Sequence, residues 1–430
     1  MAMTGKHMRR PVPPSGHGRG GRRGPGDGSG PGGRRQAAGG AGPVITALIA
    51  AAALVTTCVV LISEEALEVP LPPEQPPGAA PTSDPPRHPP AHTTRMGERT
   101  RITGDISPKS VVASPDGLVI ANNMMYRHSS TVYDASTLDL VATVPDTVDL
   151  SQHGVEGRAG QTQGAPVEAA WSPDGRYAYV SQYRLYGPGS GEPATDDCRH
   201  GDGIGRSAVY RMDAQTLAWD QVIEVGRVPK FISLSPDGSL ALVSNWCDST
   251  VSVLDLEAGV ELRQIPVDAA PRGSVILPDN RTAYVAAMYA DELYRVDLVD
   301  GTRELVLETG RKPRHLVLSP DGARMYLTES GSDRLLELDT ATGAVLREMP
   351  TGREPRSMAI SPDGTALYIV NYYEDTVSKI DVAAFAEIQR EEVGHHPIGV
   401  TYEPREGRVW VANYGGSLDV FEDTLPSSSA

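Results

Sequence analysis

The chain has 430 residues, with 45 glycines, 36 prolines and only 5% aromatic residues, a turn-rich composition that is typical of β proteins. Its formal net charge is −16 at pH 7, although the first 43 residues are basic. An acidic chain is repelled by nucleic acid and by anionic lipid, so the charge argues against either as a general partner.

The N-terminal region predicts a membrane anchor. Residues 1–43 are rich in Gly, Pro and Arg and have little to bury, so we expect a disordered basic tail. Residues 44–62, VITALIAAAALVTTCVVLI, carry no charge and are just long enough to cross a bilayer core of about 30 Å as a helix. Arginines precede this segment and glutamates follow it, which places the tail in the cytoplasm and the rest outside. We therefore predict a single-pass signal-anchor in the cell membrane.

A cleavable signal peptide is the alternative. The apolar stretch is longer than a usual signal core and lacks a clear small-x-small cleavage site, which favours the uncleaved anchor. Residues 63–98 follow as a Pro-rich extracytoplasmic linker, and their proline run favours a semi-rigid polyproline II spacer.

From residue 99 to residue 425 the sequence repeats. A proline followed six residues later by an SPDG-like turn recurs at Pro108, Pro166, Pro229, Pro271, Pro313, Pro355 and Pro397. Each unit contains four short strand patterns, such as RHLVLS, ARMYLTES, RLLELD and AVLREMP. Because such a unit cannot bury both of its faces alone, the pattern predicts an all-β, seven-bladed β-propeller with four-stranded blades.

The ends of the repeat region predict how the ring closes. The seventh unit stops after its third strand, at GGSLDVFED. A further strand pattern lies near residues 100–103, before the first unit, so this N-terminal strand can complete the last blade and remove both free edges.

Two stretches, SPDGTALYIVNYYEDTVSKID and VWVANYGGSLDVFE, resemble the repeat of the YVTN-type β-propeller family, and the resemblance covers about residues 100–425. It implies an extracytoplasmic binding or scaffold propeller, although a minority of related seven-bladed folds are lactonases or other enzymes. It implies no catalytic residue in this chain.

One face of the predicted propeller, here the top face, carries the turns between second and third strands and the connections before the repeat prolines. Two insertions lengthen loops on this face: residues 145–165, the blade 1 insertion, and residues 183–206, the blade 2 insertion. Long loops on one face of a rigid scaffold are where binding residues concentrate. Tolerated insertions without a function are the alternative.

A basic residue follows the repeat proline in five of the seven units. These five residues, here the cation ring, are Lys109, Lys230, Arg272, Arg314 and Arg356. Symmetry places them around the top of the central channel, where a positive mouth suits an anionic ligand. The alternative is that each cation pairs with an acid of a neighbouring top turn, such as Asp248, Asp291, Glu329 or Asp375.

Histidines and cysteines complete the candidate residues. His128, His395 and His396 map to the top face, so we include them as candidate ligand-binding residues. Metal binding needs three or four converging ligands, and without a HxH or HExxH pair we predict no metal site and no cofactor. Cys198 and Cys247 fall on adjacent blades of the same face and predict a disulfide; metal binding by CRH is the weaker alternative.

These features favour a membrane-tethered, extracytoplasmic binding or scaffold module that takes an anionic small molecule, a glycan or a protein at its top face. The alternative is a lactonase-like hydrolase on the same face, with the histidines and the cation ring as base and electrophilic groups. A third hypothesis is a purely structural cell-surface element. No nucleophile-elbow motif is present, so the sequence favours binding over catalysis.

Overall fold

A computed structural model describes residues 88–124, 126–192, 195–198 and 203–426 of the chain, with the side chains of residues 425 and 426 left out. The predicted tail, the membrane anchor and most of the linker lie outside the described residues. Within the described ranges, no helix is long and apolar enough to span a membrane.

The described chain is built almost entirely of β-strands. In chain order these are β1 (Thr94–Thr103); blade 1, β2 (Ser110–Ala113), β3 (Leu118–Asn123), β4 (Ser129–Asp134) and β5 (Leu140–Pro145); the blade 1 insertion, β6 (Thr147–Asp149) and β7 (Gln161–Gln163); blade 2, β8 (Pro166–Trp171), β9 (Tyr177–Gln182), β10 (Ser207–Asp213) and β11 (Ala218–Val225); and blade 3, β12 (Pro229–Leu234), β13 (Leu240–Asn245), β14 (Thr250–Asp255) and β15 (Val260–Pro266).

The remaining blades follow the same order. They are blade 4, β16 (Pro271–Ile276), β17 (Thr282–Ala287), β18 (Glu292–Asp297) and β19 (Arg303–Glu308); blade 5, β20 (Pro313–Leu318), β21 (Arg324–Glu329), β22 (Arg334–Asp339) and β23 (Val345–Pro350); blade 6, β24 (Pro355–Ile360), β25 (Ala366–Asn371), β26 (Thr376–Asp381) and β27 (Ala386–Glu392); and blade 7, β28 (Pro397–Glu403), β29 (Arg408–Asn413) and β30 (Ser417–Pro426). Two short 3-10 helices cover Ala91–Thr93 and Leu150–His153.

The seven sheets form a closed ring. In each blade the first strand lies at the channel, and the first strands of neighbouring blades pack side by side, including β28 against β2. Strand β1 pairs antiparallel with β30 and is the fourth strand of blade 7. The prediction of a seven-bladed propeller closed by an N-terminal strand is therefore confirmed. Strand β1 begins at Thr94, earlier than the predicted boundary at residue 99.

The SPDG repeat has a local physical reason. In blade 3 the Ser235 hydroxyl donates to the Asp237 carboxylate at 2.6 Å and accepts the Leu240 N–H at 2.9 Å. Gly238 adopts a φ of 72°, which a residue without a Cβ accepts at little cost. The serine and aspartate thus satisfy backbone groups where the first strand turns into the second.

Apolar side chains of the middle strands fill the space between blades. Leu242 and Val253 of blade 3 pack with Val285 and Val296 of blade 4, and all four are fully buried. Such blade-to-blade burial stabilises the ring by roughly 25 cal/mol for each Å² of apolar surface removed from water. The scaffold that results holds the first strands in fixed positions around the channel.

A buried ion pair ties the closing blade to its neighbour. Lys379 of β26 lies 2.5 Å from the Asp423 carboxylate of β30, and neither side chain is exposed. The same ammonium donates to the Thr94 carbonyl of β1 at 2.9 Å. A buried charge needs such partners, so this contact depends on the presence of the N-terminal strand.

Candidate functional site

Backbone irregularities recur beside the repeat prolines, at the positions of four of the five members of the cation ring. The residue before the repeat proline has a positive φ in five blades, for example 57° at Val228 and 56° at Lys312. This conformation is rare for residues other than glycine, and rarest for a β-branched one such as Val228. The pairing register then shifts at Lys230, and equivalent shifts occur at the start of the first strands of blades 4, 5 and 6. Such bulges re-aim side chains beside functional sites.

The five cations share one space at the top of the channel. Lys230, Arg272 and Arg314 are each only 8% exposed. Burial lowers the pKa of Lys109 well below its usual value, and the charges of the other four ring members lower it further. Burial likewise lowers the pKa of Arg314, with Arg272 and Arg356 adding to the effect. The sequence-predicted ring is thus a group of side chains that repel one another.

Only two ring members have a carboxylate partner among the described residues. The Lys230 ammonium lies 2.5 Å from Asp196, and Arg356 donates to Glu354 at 2.8 Å. Arg272 donates to the Lys230 carbonyl at 2.8 Å, and Arg314 donates to the Arg356 carbonyl at 3.2 Å. Backbone carbonyls orient these two guanidinium groups without neutralising them.

The four acids that sequence analysis offered as partners of the ring bind other groups. Asp248 accepts from Arg227, and Glu329 pairs with Arg334 at 2.7 Å. Asp291 accepts the Lys312 N–H at 2.7 Å, and Asp375 lies 3.0 Å from His395. The interpretation that these acids neutralise the cation ring is therefore wrong, because each one instead stabilises the turn or connection of the top face next to it.

A second ring of residues surrounds the cations, and sequence reasoning missed it. Its members, here the collar, each follow the second strand of a blade: Tyr183, Trp246, Met288, Tyr372 and Tyr414. Lys230 lies 4.2 Å from the centre of the Trp246 ring, Arg356 lies 3.4 Å from that of Tyr372, and Lys109 lies 5.2 Å from that of Tyr414.

The aromatic members of the collar contact Lys109, Lys230 and Arg356, and Met288 of the collar contacts Arg314 at 3.8 Å. Desolvated cation–π contacts contribute up to about 2 kcal/mol each, which is less than a buried charge costs. The recurring pair of asparagine and aromatic residue, as in Asn245-Trp246, Asn371-Tyr372 and Asn413-Tyr414, is the sequence signal that could have found the collar. In blade 3 the Asn245 amide donates to Thr250 and Ser252 and so fixes the turn that carries Trp246.

One residue further along the first strands, a layer that includes Phe231, His315 and Glu168 lies next to the cations. The rings of Phe231 and His315 contact each other at a centroid distance of 5.2 Å. Burial, together with the charges of Arg272 and Arg314, lowers the pKa of His315 to about 3, so this imidazole is neutral. Burial raises the pKa of Glu168 to about 7, although Arg272 opposes the rise. Glu168 therefore carries only part of a negative charge near neutral pH.

The blade 2 insertion crosses the top face beside the ring. Cys198 of the insertion and Cys247 of blade 3 are joined in the structure, with Cα atoms 5.4 Å apart. The Asp196 carbonyl accepts from the Trp246 indole at 2.9 Å, and the Asp196 carboxylate accepts from the Tyr183 hydroxyl at 2.6 Å. A groove of about 510 Å³ runs alongside, lined in part by Asp196, Trp246, Cys247 and Tyr289.

The two insertions also contact each other. Gln163 of the blade 1 insertion and Tyr186 of the blade 2 insertion exchange backbone hydrogen bonds, both of 2.8 Å. Each insertion therefore restrains the other, and the disulfide connects the pair to blade 3.

The candidate histidines do not form one cluster. His395 and His396 stack at 3.6 Å between ring centres, and His396 stacks on Tyr372 of the collar at 4.2 Å. His128 instead donates to the Gly164 carbonyl at 2.9 Å and lies 3.2 Å from Asp146 in the blade 1 insertion. In the part of the chain that the structure covers, no three His, Cys, Asp or Glu side chains are grouped to hold a metal ion.

Comparison with known proteins supports the fold and no specific activity. No protein-family model matches the chain, and no curated protein matches it in sequence. Hydrazine synthase of Kuenenia stuttgartiensis is similar in structure, with a TM-score of 0.58 and 20% identity over 77% of this chain and 99% of that one. A chain of the mitotic checkpoint complex is also similar in structure, with a TM-score of 0.61 and 12% sequence identity over 80% of this chain and 96% of that one. The resemblance to YVTN repeats stays a prediction.

Proposed function

We propose that the chain is a membrane-tethered, extracytoplasmic binding module whose cation ring receives an anionic ligand at the top of the propeller channel. One observation carries the proposal. Arg272 and Arg314 are buried at the channel mouth, and within the described residues neither forms an ion pair. The β-propeller fold is compatible with a binding or scaffold role.

The charge of the site supports an anion. Five cations face the carboxylates of Asp196 and Glu354 and the partly protonated Glu168. The site therefore keeps a positive excess inside an acidic protein, which focuses the local potential on anions. Removing a charge from water without a counter-charge costs several kcal/mol, and a bound carboxylate, sulfate or phosphate would offset that cost.

The tether rests on residues 44–62, whose uncharged sequence has the length and flanking charges of a signal-anchor. We further propose that the chain is a divergent YVTN-type propeller, on the strength of its repeat residues. Protease treatment of intact cells checks the tether: the propeller should be cleaved from the cell surface, while a tag at residue 1 stays protected. Protection of the propeller would contradict the proposed orientation.

Calorimetric titration of the full-length chain in mild detergent with oxalate tests the binding site. We expect one oxalate to bind per chain, because two planar guanidinium groups match its carboxylates. Arg272→Gln combined with Arg314→Gln should weaken binding by at least about tenfold, since each lost charged hydrogen bond is worth about 1.5–3 kcal/mol.

Arg311→Gln combined with Arg353→Gln is the matched control. Both arginines are exposed on the top face next to repeat connections, and they bond to turn residues rather than to the ring. This control should change oxalate affinity by less than about twofold. Absence of binding to the wild-type chain, or equal losses in both double variants, would overturn the proposal.

A further inference from the structure

The chain already contains a peptide carboxylate bound to the ring. Asp196 lies in a turn closed by the Cys198 N–H, which donates to the Thr195 carbonyl at 3.1 Å, and its carboxylate contacts the Lys230 ammonium and the Tyr183 hydroxyl. Burial raises the pKa of Asp196, but Lys230 outweighs that effect and lowers it to about 2. The backbone carbonyl of the same residue accepts from Trp246. Side chain and backbone of one acidic residue are thus recognised together.

Exposed aromatic side chains are confined to the same face. Among the described Phe, Trp and Tyr residues, the exposed ones are Tyr126, Tyr289 and Tyr373, with exposed fractions of 80%, 57% and 51%. All three lie in turns that follow the second strand of a blade. The exposed aliphatic residues of the described chain lie mainly on fourth strands instead, for example Leu262 of β15. The aromatic exposure therefore belongs to the top face.

On the premise of the proposed function, we infer that the ligand is an acidic peptide segment of a partner protein. Two or three of its Asp or Glu side chains reach Arg272, Arg314 and Lys109 in the way that Asp196 reaches Lys230. Its backbone lies across the top face between Tyr289 and Tyr373. Tyr, Trp, Met and Arg are the residue types enriched in protein–protein interfaces, and Tyr, Trp and Arg dominate their binding energy.

The hydrogen-bonding groups of the mouth favour a peptide over an acidic glycan. The ring presents ammonium and guanidinium donors, while the Trp246 indole and the Tyr183 hydroxyl already donate to Asp196. Sugar hydroxyls need acceptors as well as donors, yet Asp291, Asp375 and Glu354 already accept hydrogen bonds from the chain itself. A peptide with carboxylates and backbone carbonyls offers the acceptors that this surface lacks.

Fluorescence anisotropy on the full-length chain tests this inference with a labelled octapeptide that contains two Asp and two Glu between glycines. Unlabelled competitors are its amide twin with Asn and Gln, tetragalacturonate and oxalate. We expect the acidic peptide to bind at least about tenfold tighter than tetragalacturonate or oxalate, and the amide twin not to compete.

Variants identify the surface that is used. Tyr289→Ala combined with Tyr373→Ala should weaken peptide binding by about fivefold or more, and more than it weakens oxalate binding, whereas Leu262→Ala on the outer strand should change neither. At pH 6, Asp196→Asn should tighten peptide binding by about threefold or more, because it removes a competing carboxylate from Lys230 and the incoming peptide carboxylate keeps that ammonium charged in its place. An unfolded variant could not give that gain.

The outcomes separate the two claims. If oxalate binds as tightly as the peptide and the tyrosine variants change nothing, the peptide inference is wrong and the anion site stands. Tighter binding of tetragalacturonate would replace the peptide with a glycan. Weaker peptide binding to Asp196→Asn would overturn the competing role of Asp196. If no anion binds the wild-type chain, both the inference and the proposed function fail.

Discussion

At the scale of single residues, the site depends on ionisable side chains whose charged forms are disfavoured by burial. Burial lowers the pKa of Lys230 to about 7 in spite of Asp196, and burial raises the pKa of Glu168 to about 7 in spite of Arg272. The repeat proline and the basic residue after it could be read from the sequence. The low exposure of the arginines could not, because burial depends on the seven blades together.

The shifted pKa values of Lys230 and Glu168 predict how oxalate binding depends on pH. As pH rises from 6 to 8, Lys230 loses its positive charge and Glu168 gains a negative one, so both changes make the ring less positive. Oxalate keeps its charge over this range, and its affinity should therefore fall by about tenfold. Titration calorimetry at pH 6, 7 and 8 measures the change.

Glu168→Gln provides the control for this pH dependence. It should raise the affinity at pH 8 and flatten the profile, because it removes one of the two titrating charges. An affinity that rises with pH in the wild-type chain, or a Glu168→Gln profile identical to that of the wild type, would show that these groups do not govern binding.

At the scale of elements, the repeat predicted the strands because each strand pattern ends at a turn with its own chemistry. The serine of SPDG accepts a backbone N–H and the glycine adopts a positive φ, so the motif marks the turn between the first and second strands. The collar and the buried partners of Lys379 were harder to predict from the sequence. The strand pattern gives the position of Lys379, but its partners lie in blade 7 and in the strand that precedes the repeats.

The Lys379–Asp423 pair predicts a large loss of stability when one partner is removed. Lys379→Ala leaves Asp423 buried beside Tyr368 and Thr94 without a counter-charge, which should lower the free energy of unfolding by about 3–5 kcal/mol. Combining Lys379→Met with Asp423→Leu should cost less than Lys379→Ala alone. Urea unfolding followed by tryptophan fluorescence measures these differences.

Arg281→Ala is the matched control, since this exposed arginine pairs with Asp297 at 2.7 Å on the surface. Its loss should cost no more than about 1 kcal/mol. If Lys379→Ala and Arg281→Ala cost the same, the buried pair does not stabilise the closure of the ring.

At the scale of the whole molecule, seven similar units place one side chain of each at a common centre. A single exposed arginine on an acidic protein is a weak feature, whereas five cations at one channel mouth form a focused positive potential. Both insertions lie on this same face, and one of them carries Asp196 to the ring. The architecture therefore concentrates charge, aromatic surface and loops in one place.

The most direct test of this account compares thermal unfolding midpoints of the full-length wild type and of Arg272→Met combined with Arg314→Met, each with and without oxalate. If the ring serves binding, oxalate should raise the unfolding midpoint of the wild type and not that of the variant. Without oxalate, the variant should be at least as stable as the wild type, because methionine removes two buried unpaired charges. A variant that is less stable without oxalate, together with a wild type that oxalate does not stabilise, would contradict the account and make the ring a part of the scaffold.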